Sequence, residues 1–303
     1  MNTSRLAAAL EAGQFAVTAE VTPPLSASPE KVLNEAAHLK GLVDGINLTD
    51  SASARVAMSS FAAAAILAKE GYEPIVQMTC RDRNRIALQS EVLGFNAFGI
   101  QNVLVLTGDD PKQGDQPDTK AVFDLKSNDL IAQIVAMRDK HQLPSGREIA
   151  ESPSVFVGAA DMPIDPPAGW KPTSLQGKVA VGAQFAQTQF CMDIDIAKRY
   201  FHVLREEGIT EKLKILLGVV PPASGKSARW IKENLYGAII PDAMIERIEK
   251  AGDQRAEGRK ACVEFIQQVM EVPGVAGVHI MAPMNAKSIP AVIEEAGILK
   301  KRK

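Results

Sequence analysis

The sequence alternates a short apolar, β-branched run with a helix-like segment eight times, and this alternation restricts the chain to few folds. We predict strands at residues 15–21, 43–48, 74–78, 103–106, 155–159, 185–188, 213–219 and 275–280. Strands that alternate with helices are typical of βαβ units, whose strands form a parallel sheet. The sequence therefore predicts an α/β protein.

The segments that follow the strands are predicted to be helical. We place helices at residues 28–39, 54–69, 85–98, 127–141, 178–182, 195–207, 227–234 and 289–296, with one more within residues 1–13. Two extra helices, at 241–250 and 257–269, precede the last strand. The helix at 28–39 has the best-marked start, because Ser28 is suited to cap its first amides and Pro29 is tolerated in the first turn.

A length of 303 residues suits one closed (β/α)8 barrel, also called a TIM barrel. No long linker divides the chain, so we expect residues 1–303 to form a single barrel domain. A doubly wound open sheet is the alternative. When such a sheet binds a dinucleotide, a GxGxxG motif follows its first strand directly, but here the chain reads Glu-Val-Thr-Pro-Pro from Glu20. The barrel is therefore favoured.

Composition excludes several classes of protein. A net charge of -2 provides no basic surface for nucleic acid. The 3 cysteines, Cys80, Cys191 and Cys262, stand far apart without CxxC spacing, so we expect a reducing compartment, the cytoplasm, with neither a disulfide framework nor a zinc site. The 4 histidines fall on separate elements and form no metal set. No apolar run reaches the roughly 18 residues of a membrane span.

Barrel enzymes carry their functional side chains at the C-terminal ends of the strands. We therefore place an active site at these ends, which are polar in this sequence: Glu20, Thr49, Asp50, Ser51, Gln77, Thr79, Thr107, Gly108, Asp109, Gln187, Gln189 and His279. A structural role is nevertheless favoured for His279.

Two of these strand ends suggest specific chemistry. Glu20 ends an apolar strand, and a partly desolvated carboxyl group at a barrel rim has a raised pKa and can act as a general acid. An ion pair with a nearby lysine or arginine is the alternative. In the Thr-Gly-Asp-Asp-Pro motif from Thr107, Gly108 lets a ligand ring approach the backbone, and Asp109 is suited to bond an N–H edge of a heterocycle. Alone, this motif is better explained as an ordinary Asp-Pro turn.

Other segments favour structural interpretations. The arginines at 81, 83 and 85 could bind an anion at a helix start, but a charged, solvated first turn is the favoured interpretation. Cys80 lacks the neighbours of a catalytic nucleophile and is predicted to be a core thiol. The Gly-Lys-Ser sequence from Gly225 lacks the earlier glycine of a phosphate loop, because Val220 occupies that position.

These segments together resemble the methylenetetrahydrofolate reductase family nearly from end to end. Residues 19–24, AEVTPP, are similar to the family's Glu-x-x-Pro-Pro strand end, and residues 106–109, LTGD, to its Gly-Asp loop. Residues 178–189 resemble its Lys-x-x-x-Gly-Ala-x-Phe-x-x-Thr-Gln run, and residues 277–279 its final strand. The order and spacing of these short motifs make the resemblance specific.

Two more segments place the chain nearer one branch of that family. Residues 79–90, which begin TCRDRNR, and residues 122–125, VFDL, are similar to the acetogen-type reductases and to those fused to homocysteine methyltransferase. Some relatives in this branch act only with a second subunit. The resemblance therefore leaves open a flavin- and pterin-binding subunit that needs a partner protein, or a homo-oligomer.

The resemblance implies a flavoprotein oxidoreductase of one-carbon metabolism. NADH, NADPH or a partner subunit reduces the flavin, FAD, which passes hydride to methylenetetrahydrofolate, or the reverse. It implies that Glu20 assists opening of the folate's imidazolidine ring, that Asp109 bonds the pterin and tunes the flavin, and that Gln189 contacts pterin and nicotinamide. The positions that match the flavin site are Thr49, Gln77, Leu106, Thr107, Gly108, Asp109, Ala183 and Lys178.

The chain departs from the family pattern at four places. Gln77 stands where many relatives have histidine, and the loop 162–170 lacks the usual His-Pro, so FMN or a weakly held flavin is an alternative to FAD. No substrate-clamping phenylalanine occurs in residues 223–226, and Asn285 replaces the arginine expected six residues after His279. A different enzyme class, a phosphate-binding barrel lyase or aldolase, would need a Schiff-base lysine at a strand end, and none of the strand ends named above has one.

Overall fold

The computed structural model describes residues 3–302. Within them eight strands are hydrogen-bonded in chain order and close into a barrel, and the strand pairs with a defined register are parallel. The predicted (β/α)8 fold is therefore confirmed. The strands are β1 (Ala16–Val21), β2 (Gly45–Leu48), β3 (Pro74–Thr79), β4 (Asn102–Leu106), β5 (Phe156–Asp161), β6 (Phe185–Phe190), β7 (Lys214–Val219) and β8 (Val275–Ile280).

Twelve α-helices occur within the same described residues. They are α1 (Arg5–Glu11), α2 (Pro29–Ala36), α3 (Ser60–Lys69), α4 (Arg85–Ala97), α5 (Ser127–Asp139), α6 (Thr173–Ala180), α7 (Ile194–Glu206), α8 (Ile209–Lys212), α9 (Gly225–Asn234), α10 (Asp242–Glu249), α11 (Gln254–Val269) and α12 (Ile289–Ala296). The N-terminal helix and the two extra helices before the last strand are confirmed. Residues 1–2 of the segment predicted to carry the first helix lie outside the described residues.

The helices form where an apolar stripe coincides with a good cap. In α7 the buried residues are Ala197, Tyr200, Phe201 and Leu204, which lie on one face at helical spacing. Asp193 starts this helix, because its side chain accepts hydrogen bonds from the amides of residues 195 and 196, both at 3.0 Å.

Three helix predictions need correction. Ser28 occupies the N-cap of α2 but its side chain caps no amide; its hydroxyl donates to Glu30 at 2.6 Å instead. The helix predicted at 178–182 begins earlier, at the start of α6, and the short α8 was not predicted. The helix predicted from residue 54 begins at Ser60, after a 3₁₀ turn at Ala52–Ala54.

Tertiary contacts account for that late start of α3. Ser51, Ser53 and Ala54 have φ of 51, 54 and 55°, a left-handed conformation that costs free energy in residues other than glycine. The turn is held from outside, because the amide of Ser53 donates to Asp109 at 2.8 Å and the amide of Val56 donates to Asp115 at 3.2 Å. Local helix propensity in this alanine-rich stretch is therefore overridden.

The chain groups into two compact units, which are described separately. Unit 1 comprises residues 3–8, Glu20–Ala160 and Gln176–Phe185, and unit 2 comprises Ala9–Ala19, Asp161–Leu175 and residues 186–302.

The core of unit 1 contains the buried strand side chains of β2 to β4 and aromatic residues of β5 and β6. Phe156 stacks on Phe185, with ring centroids 5.0 Å apart. Gly158 is required beside them, because a Cβ atom there would lie 2.2 Å from the Phe185 ring.

The core of unit 2 contains the strands β7 and β8 and the part of β1 that pairs with β8. Gly218 of β7 pairs with His279 of β8, and His279 pairs with Thr18 of β1. A Cβ atom at Gly277 would lie 2.2 Å from the carbonyl oxygen of Ala16, so β1 and β8 approach closely.

Candidate active site

Glu20 of unit 1 lies near the end of β1, as predicted, and is half-buried. Gln77 of β3, which is 7% exposed, donates its side-chain amide to the Glu20 carboxylate at 3.2 Å. The side-chain amide of Gln77 is an uncharged donor, and it orients the Glu20 carboxyl group.

Thr49 follows β2 and is nearly fully buried. Its amide donates to the carbonyl oxygen of Val21 at 3.2 Å, which fixes its backbone beside the end of β1. Its buried hydroxyl oxygen has no hydrogen-bond partner among the described residues. Because buried hydroxyl groups are normally hydrogen-bonded, this oxygen is available to a ligand.

Asp50, beside Thr49, organises a charged network. Its carboxylate accepts from the amide and hydroxyl of Thr79, at 2.8 and 2.9 Å, and forms an ion pair with Arg83. Arg83 in turn contacts Glu91 at 2.5 Å. Burial raises the pKa of Glu91, although the Arg83 guanidinium acts in the opposite direction.

The prediction of a solvated arginine cluster is wrong for two of its three members. Arg81 is 2% exposed, and its guanidinium donates to Asp82 at 2.8 Å and to the carbonyl oxygen of Ser51 at 3.2 Å. Arg83 is also largely buried. Only Arg85 is exposed, and it forms a two-point ion pair with Asp124, at 2.8 Å for both contacts. The contacts of Arg81 and Arg83 thus hold the loops that follow β2 and β3 in place.

In the loop after β4 the favoured interpretation, an ordinary Asp-Pro turn, is confirmed, and the ligand-binding interpretation stays a prediction. Asp110 accepts from the Lys112 amide at 3.0 Å and starts a 3₁₀ turn at Pro111–Gln113, which is the ordinary Asp-Pro turn. Asp109 is a separate exposed carboxylate, bonded to the amide of Ser53. Gly108 has φ of 96°, and a Cβ atom there would lie 2.9 Å from the Cβ of Arg81. Glycine is therefore required by close packing as well as by conformation.

The remaining predicted flavin contacts also lie in unit 1. Leu106 is half-buried and Thr107 is exposed, and both carbonyl oxygens accept from the amide of Cys80, at 3.1 and 3.2 Å. Ala183 is 5% exposed, and its amide donates to the carbonyl oxygen of Lys178 at 3.0 Å. The Lys178 ammonium donates to the carbonyl oxygen of Ala160.

Gln189 lies near the end of β6 in unit 2, and backbone groups hold both ends of its side chain. Its amide nitrogen donates to the carbonyl oxygen of Tyr236 at 3.2 Å, and its amide oxygen accepts from Phe190 at 3.0 Å. A side-chain amide has two N–H donors and two lone pairs, so one donor and one lone pair remain for a ligand.

A trio of buried polar side chains lies in the interior of unit 2. Gln187 donates to the Thr18 hydroxyl at 2.9 Å, and that hydroxyl lies 3.0 Å from Nδ1 of His279. The structural role favoured for His279 agrees with this position.

Sequence reasoning missed Asp161, the polar end of β5, because the strand was predicted to stop at Ala159. The hydroxyl of Tyr200 donates to the Asp161 carboxylate at 2.7 Å, and burial raises the pKa of this phenol. Extending the predicted strand by two residues, from Ala159 to Asp161, would have identified Asp161 as a polar strand-end residue.

The departures from the family pattern have structural explanations. In the loop 162–170, Asp165 forms a two-point ion pair with Arg199, at 2.7 and 2.9 Å. Asn285 is 4% exposed and donates to the carbonyl oxygen of Pro221 at 2.9 Å, so it is a loop brace.

The cysteines are buried thiols, as predicted for Cys80. Burial raises the pKa of Cys80 to about 11 and that of Cys191 to about 12. In the part of the chain that the structure describes, no cluster of histidine, cysteine and acidic side chains is arranged to hold a metal ion. None of the helices described there combines the length and apolar character required to span a bilayer.

The closed (β/α)8 barrel, with acidic and amide side chains at its strand ends, makes this chain a TIM-barrel protein with a polar candidate site at those ends. The chain belongs to the methylenetetrahydrofolate reductase family, whose model matches residues 5–297. It is 24% identical over 254 residues to a probable NADPH-type methylenetetrahydrofolate reductase of Caenorhabditis elegans, covering 81% of this chain and 35% of that protein. The chain thus spans about a third of the length of this relative.

A bacterial relative is closer in size. The 5,10-methylenetetrahydrofolate reductase of Pectobacterium carotovorum subsp. carotovorum is 24% identical over 234 residues, covering 76% of this chain and 72% of that protein. Among solved structures, an uncharacterized Clostridium thermocellum protein that binds two copies of 5-methyl-5,6,7,8-tetrahydrofolic acid has a TM-score of 0.64 at 15% identity, covering 98% of this chain and 99% of that one. At this identity the likeness concerns the fold.

Proposed function

We propose that this chain is a flavin-dependent oxidoreductase that converts 5,10-methylenetetrahydrofolate to 5-methyltetrahydrofolate, or the reverse. The family match over residues 5–297 supports the substrate class. The observation that carries the chemistry is the half-buried Glu20 carboxyl, oriented at a strand end by the side-chain amide of Gln77.

Glu20 supplies the proton for the ring-opening step. The acid protonates the folate nitrogen that leaves, the bond from this nitrogen to the one-carbon unit breaks, and the electron pair stays on the nitrogen. The one-carbon unit is left as an iminium that accepts a hydride. A positioned acid of this kind accelerates a reaction by roughly 10²–10⁴-fold.

The residues of unit 1 fit the ring system of a flavin. The unsatisfied hydroxyl of Thr49, the Gln77 amide and the loop from Leu106 to Asp109 offer hydrogen-bonding groups beside a glycine, which suits a flat heterocycle. When bound, the flavin supplies hydride transfer between NADH or NADPH and the one-carbon unit. Ala183 and Lys178 complete the proposed contacts.

The phosphate end of the cofactor is less well supported than the ring. Lys178 already donates to a backbone carbonyl oxygen, and in the loop 162–170 the Asp165 carboxylate pairs with Arg199. We propose FAD as the cofactor, with FMN as the alternative. Flavin released from the purified protein by heat and separated by chromatography decides between them.

Asp109 and Gln189 are proposed to bind the pterin. The Asp109 carboxylate can accept from N–H groups of such a heterocycle, and the Gln189 amide can both donate to its carbonyl edge and accept from its N–H groups. Asp109 also places a negative charge in unit 1, which would disfavour an anionic reduced flavin beside it.

A second candidate is the same chemistry carried out only with a partner subunit. The segment from Thr79 to Arg85 favours it, because this segment resembles the acetogen-type and methyltransferase-fused branch. Its arginines brace loops after β2 and β3. We also propose that residues 1–303 act as one domain in the cytoplasm, alone or as a homo-oligomer.

One experiment tests both candidates. Purified protein is assayed for methylenetetrahydrofolate and methyltetrahydrofolate interconversion with NADH, with NADPH and with a reduced viologen dye, and its absorption spectrum is recorded. Activity with a nicotinamide supports the autonomous enzyme, and activity with dye alone supports the partner-dependent subunit. A flavin-free protein that remains active would overturn the flavin assignment, and a flavin-loaded protein inactive with every donor would overturn the reductase proposal.

A further inference from the structure

The segment that follows α9 is attached to the end of β6 in unit 2. The Ile239 amide donates to the carbonyl oxygen of Phe190 at 2.9 Å, and the Met192 amide donates to that of Ile239 at 2.8 Å. Cys191 and Ile239 form an isolated parallel bridge. These contacts fix the backbone of residues 235–240 beside Gln189.

Tyr236 is the second residue of that segment. Its carbonyl oxygen accepts from the Gln189 side chain at 3.2 Å, whereas its own side chain is 85% exposed. An exposed tyrosine buries little apolar area, so its ring contributes little to folding. Its backbone is nevertheless held in place, which preorganises the ring for a ligand.

Met162 lies against the next residue of the segment. Gly237 has φ of 78°, and a Cβ atom there would lie 2.1 Å from the Met162 sulfur and 3.8 Å from Cγ of Gln189. Any other side chain at this position would therefore push the thioether aside. Met162 is itself 38% exposed. The Met162 sulfur and the Gln189 side chain therefore both lie beside the backbone segment that carries the exposed Tyr236 side chain.

These side chains have the chemistry of a site for an aromatic ligand. The amide edge bonds a heterocycle in its plane, while aromatic and thioether groups pack against ring faces and edges. Small-molecule sites commonly combine a few polar groups of this kind with apolar walls.

We infer that Tyr236, held beside Gln189 by its backbone, forms a wall against which the aromatic part of the folate packs. The inference rests on the proposed function, because it takes Gln189 as a pterin contact. Tyr236 is then a specificity-determining residue, and the proton and hydride steps do not require it.

The test compares Tyr236→Ala with Tyr236→Phe in the full-length, flavin-loaded protein. Binding of 5-methyltetrahydrofolate is measured by titration calorimetry, and reduction of the flavin is followed separately. Tyr236→Ala should weaken folate binding by roughly fivefold to twentyfold, because an aromatic contact and its buried area are lost. Tyr236→Phe should bind within about twofold of the wild type, because the ring face is kept. Flavin reduction by a reduced viologen dye should be unchanged in both variants, because a dye does not use the proposed nicotinamide contact at Gln189.

The matched control is Phe98→Ala, which removes an aromatic residue of comparable exposure, 63%, from the end of α4 in unit 1. It should leave folate binding unaltered. If the wild type binds folate and Tyr236→Ala binds equally well, the wall is overturned and the proposed function stands. If Tyr236→Phe loses as much as the alanine variant, the hydroxyl group acts instead of the ring face. If the wild type binds no folate, the proposed function itself fails.

Discussion

Unit 1 and unit 2 both place polar groups at strand ends, but they stabilise them differently. In unit 1 the groups are charged: Asp50 accepts from Thr79 and pairs with Arg83, which also pairs with Glu91. In unit 2 a buried hydrogen-bonded network contains no carboxylate or guanidinium and joins Gln187 and His279 through the Thr18 hydroxyl.

The difference indicates a division of labour. A network of buried charges holds its members in one geometry, because a charged group without its partner would cost folding free energy. Every predicted flavin contact lies in unit 1, which contains this network. In unit 2 the proposed ligand contacts, Gln189 and Tyr236, would bind by hydrogen bonds and ring packing. Unit 1 is therefore suited to a cofactor and an acid, and unit 2 to recognition of a ring.

The largest expected effect comes from breaking the charged network. Arg83→Met leaves Asp50 and Glu91 without their shared cation, and removal of one partner from a buried pair costs about 3–5 kcal/mol. The free energy of unfolding is measured by urea denaturation. Arg229→Met, which removes an exposed pair with Glu249 in unit 2, is the control and should cost at most about 1 kcal/mol. Equal losses in the two variants would contradict the charged-network account.

Breaking the hydrogen bonds of the Thr18 hydroxyl in unit 2 should lower the free energy of unfolding less than Arg83→Met does. Thr18→Val removes the hydroxyl that bonds Gln187 and lies beside His279, and loss of these buried hydrogen bonds should cost about 1–3 kcal/mol. Thr18→Ser keeps the hydroxyl and serves as the control in the same denaturation experiment. A Thr18→Val loss greater than that of Arg83→Met would reverse the comparison between the units.

The Gly108 loop should show a loss of stability of similar size. Gly108→Ala forces a side chain into a left-handed position and against Arg81 and Thr79, at a cost of about 1–2 kcal/mol from conformation alone. Gly146→Ala is matched in φ, at 83°, but its Cβ atom would meet nothing within 4 Å. Thermal unfolding with and without added flavin should show a larger loss, and weaker flavin binding, for Gly108→Ala. Identical behaviour of the two variants would show that the loop is not closely packed.

The smallest effect concerns the exposed ion pair of unit 1. Hydrogen bonds from Arg85 hold the pKa of Asp124 well below its ordinary value of 3.8. A carboxyl group with a lowered pKa stabilises the folded state above the pKa of the unfolded chain, and this contribution disappears as the pH falls through the lower, folded-state pKa. The melting temperature of the wild type should therefore slightly exceed that of Asp124→Asn at neutral pH, and the difference should vanish in strong acid. A difference that grows on acidification would contradict the assignment.

The sequence predicted the strands well because each is an apolar run whose burial depends on pattern alone. It also identified Glu20, Gln77, Asp109 and Gln189 as strand-end groups, since periodicity locates the strand ends. Whether they contact ligands stays a prediction.

The sequence could not predict features that depend on contacts between distant segments. The left-handed turn before α3 exists because Asp109 and Asp115 bond its amides. The burial of Arg81 depends on Asp82 and on the carbonyl oxygen of Ser51. Tyr236 is significant only because its backbone bonds Gln189, which is 47 residues away.

The central claim is that unit 1 carries both the flavin and the acid, and that Glu20 serves only the folate step. Glu20→Gln keeps the shape and the hydrogen bond to Gln77 but has no acidic proton to give. Stopped-flow measurement of the two half-reactions tests this directly. The account predicts that reduction of the flavin by its donor survives, while folate reduction falls by roughly 10²–10⁴-fold. Equal slowing of both half-reactions, or of neither, would contradict it.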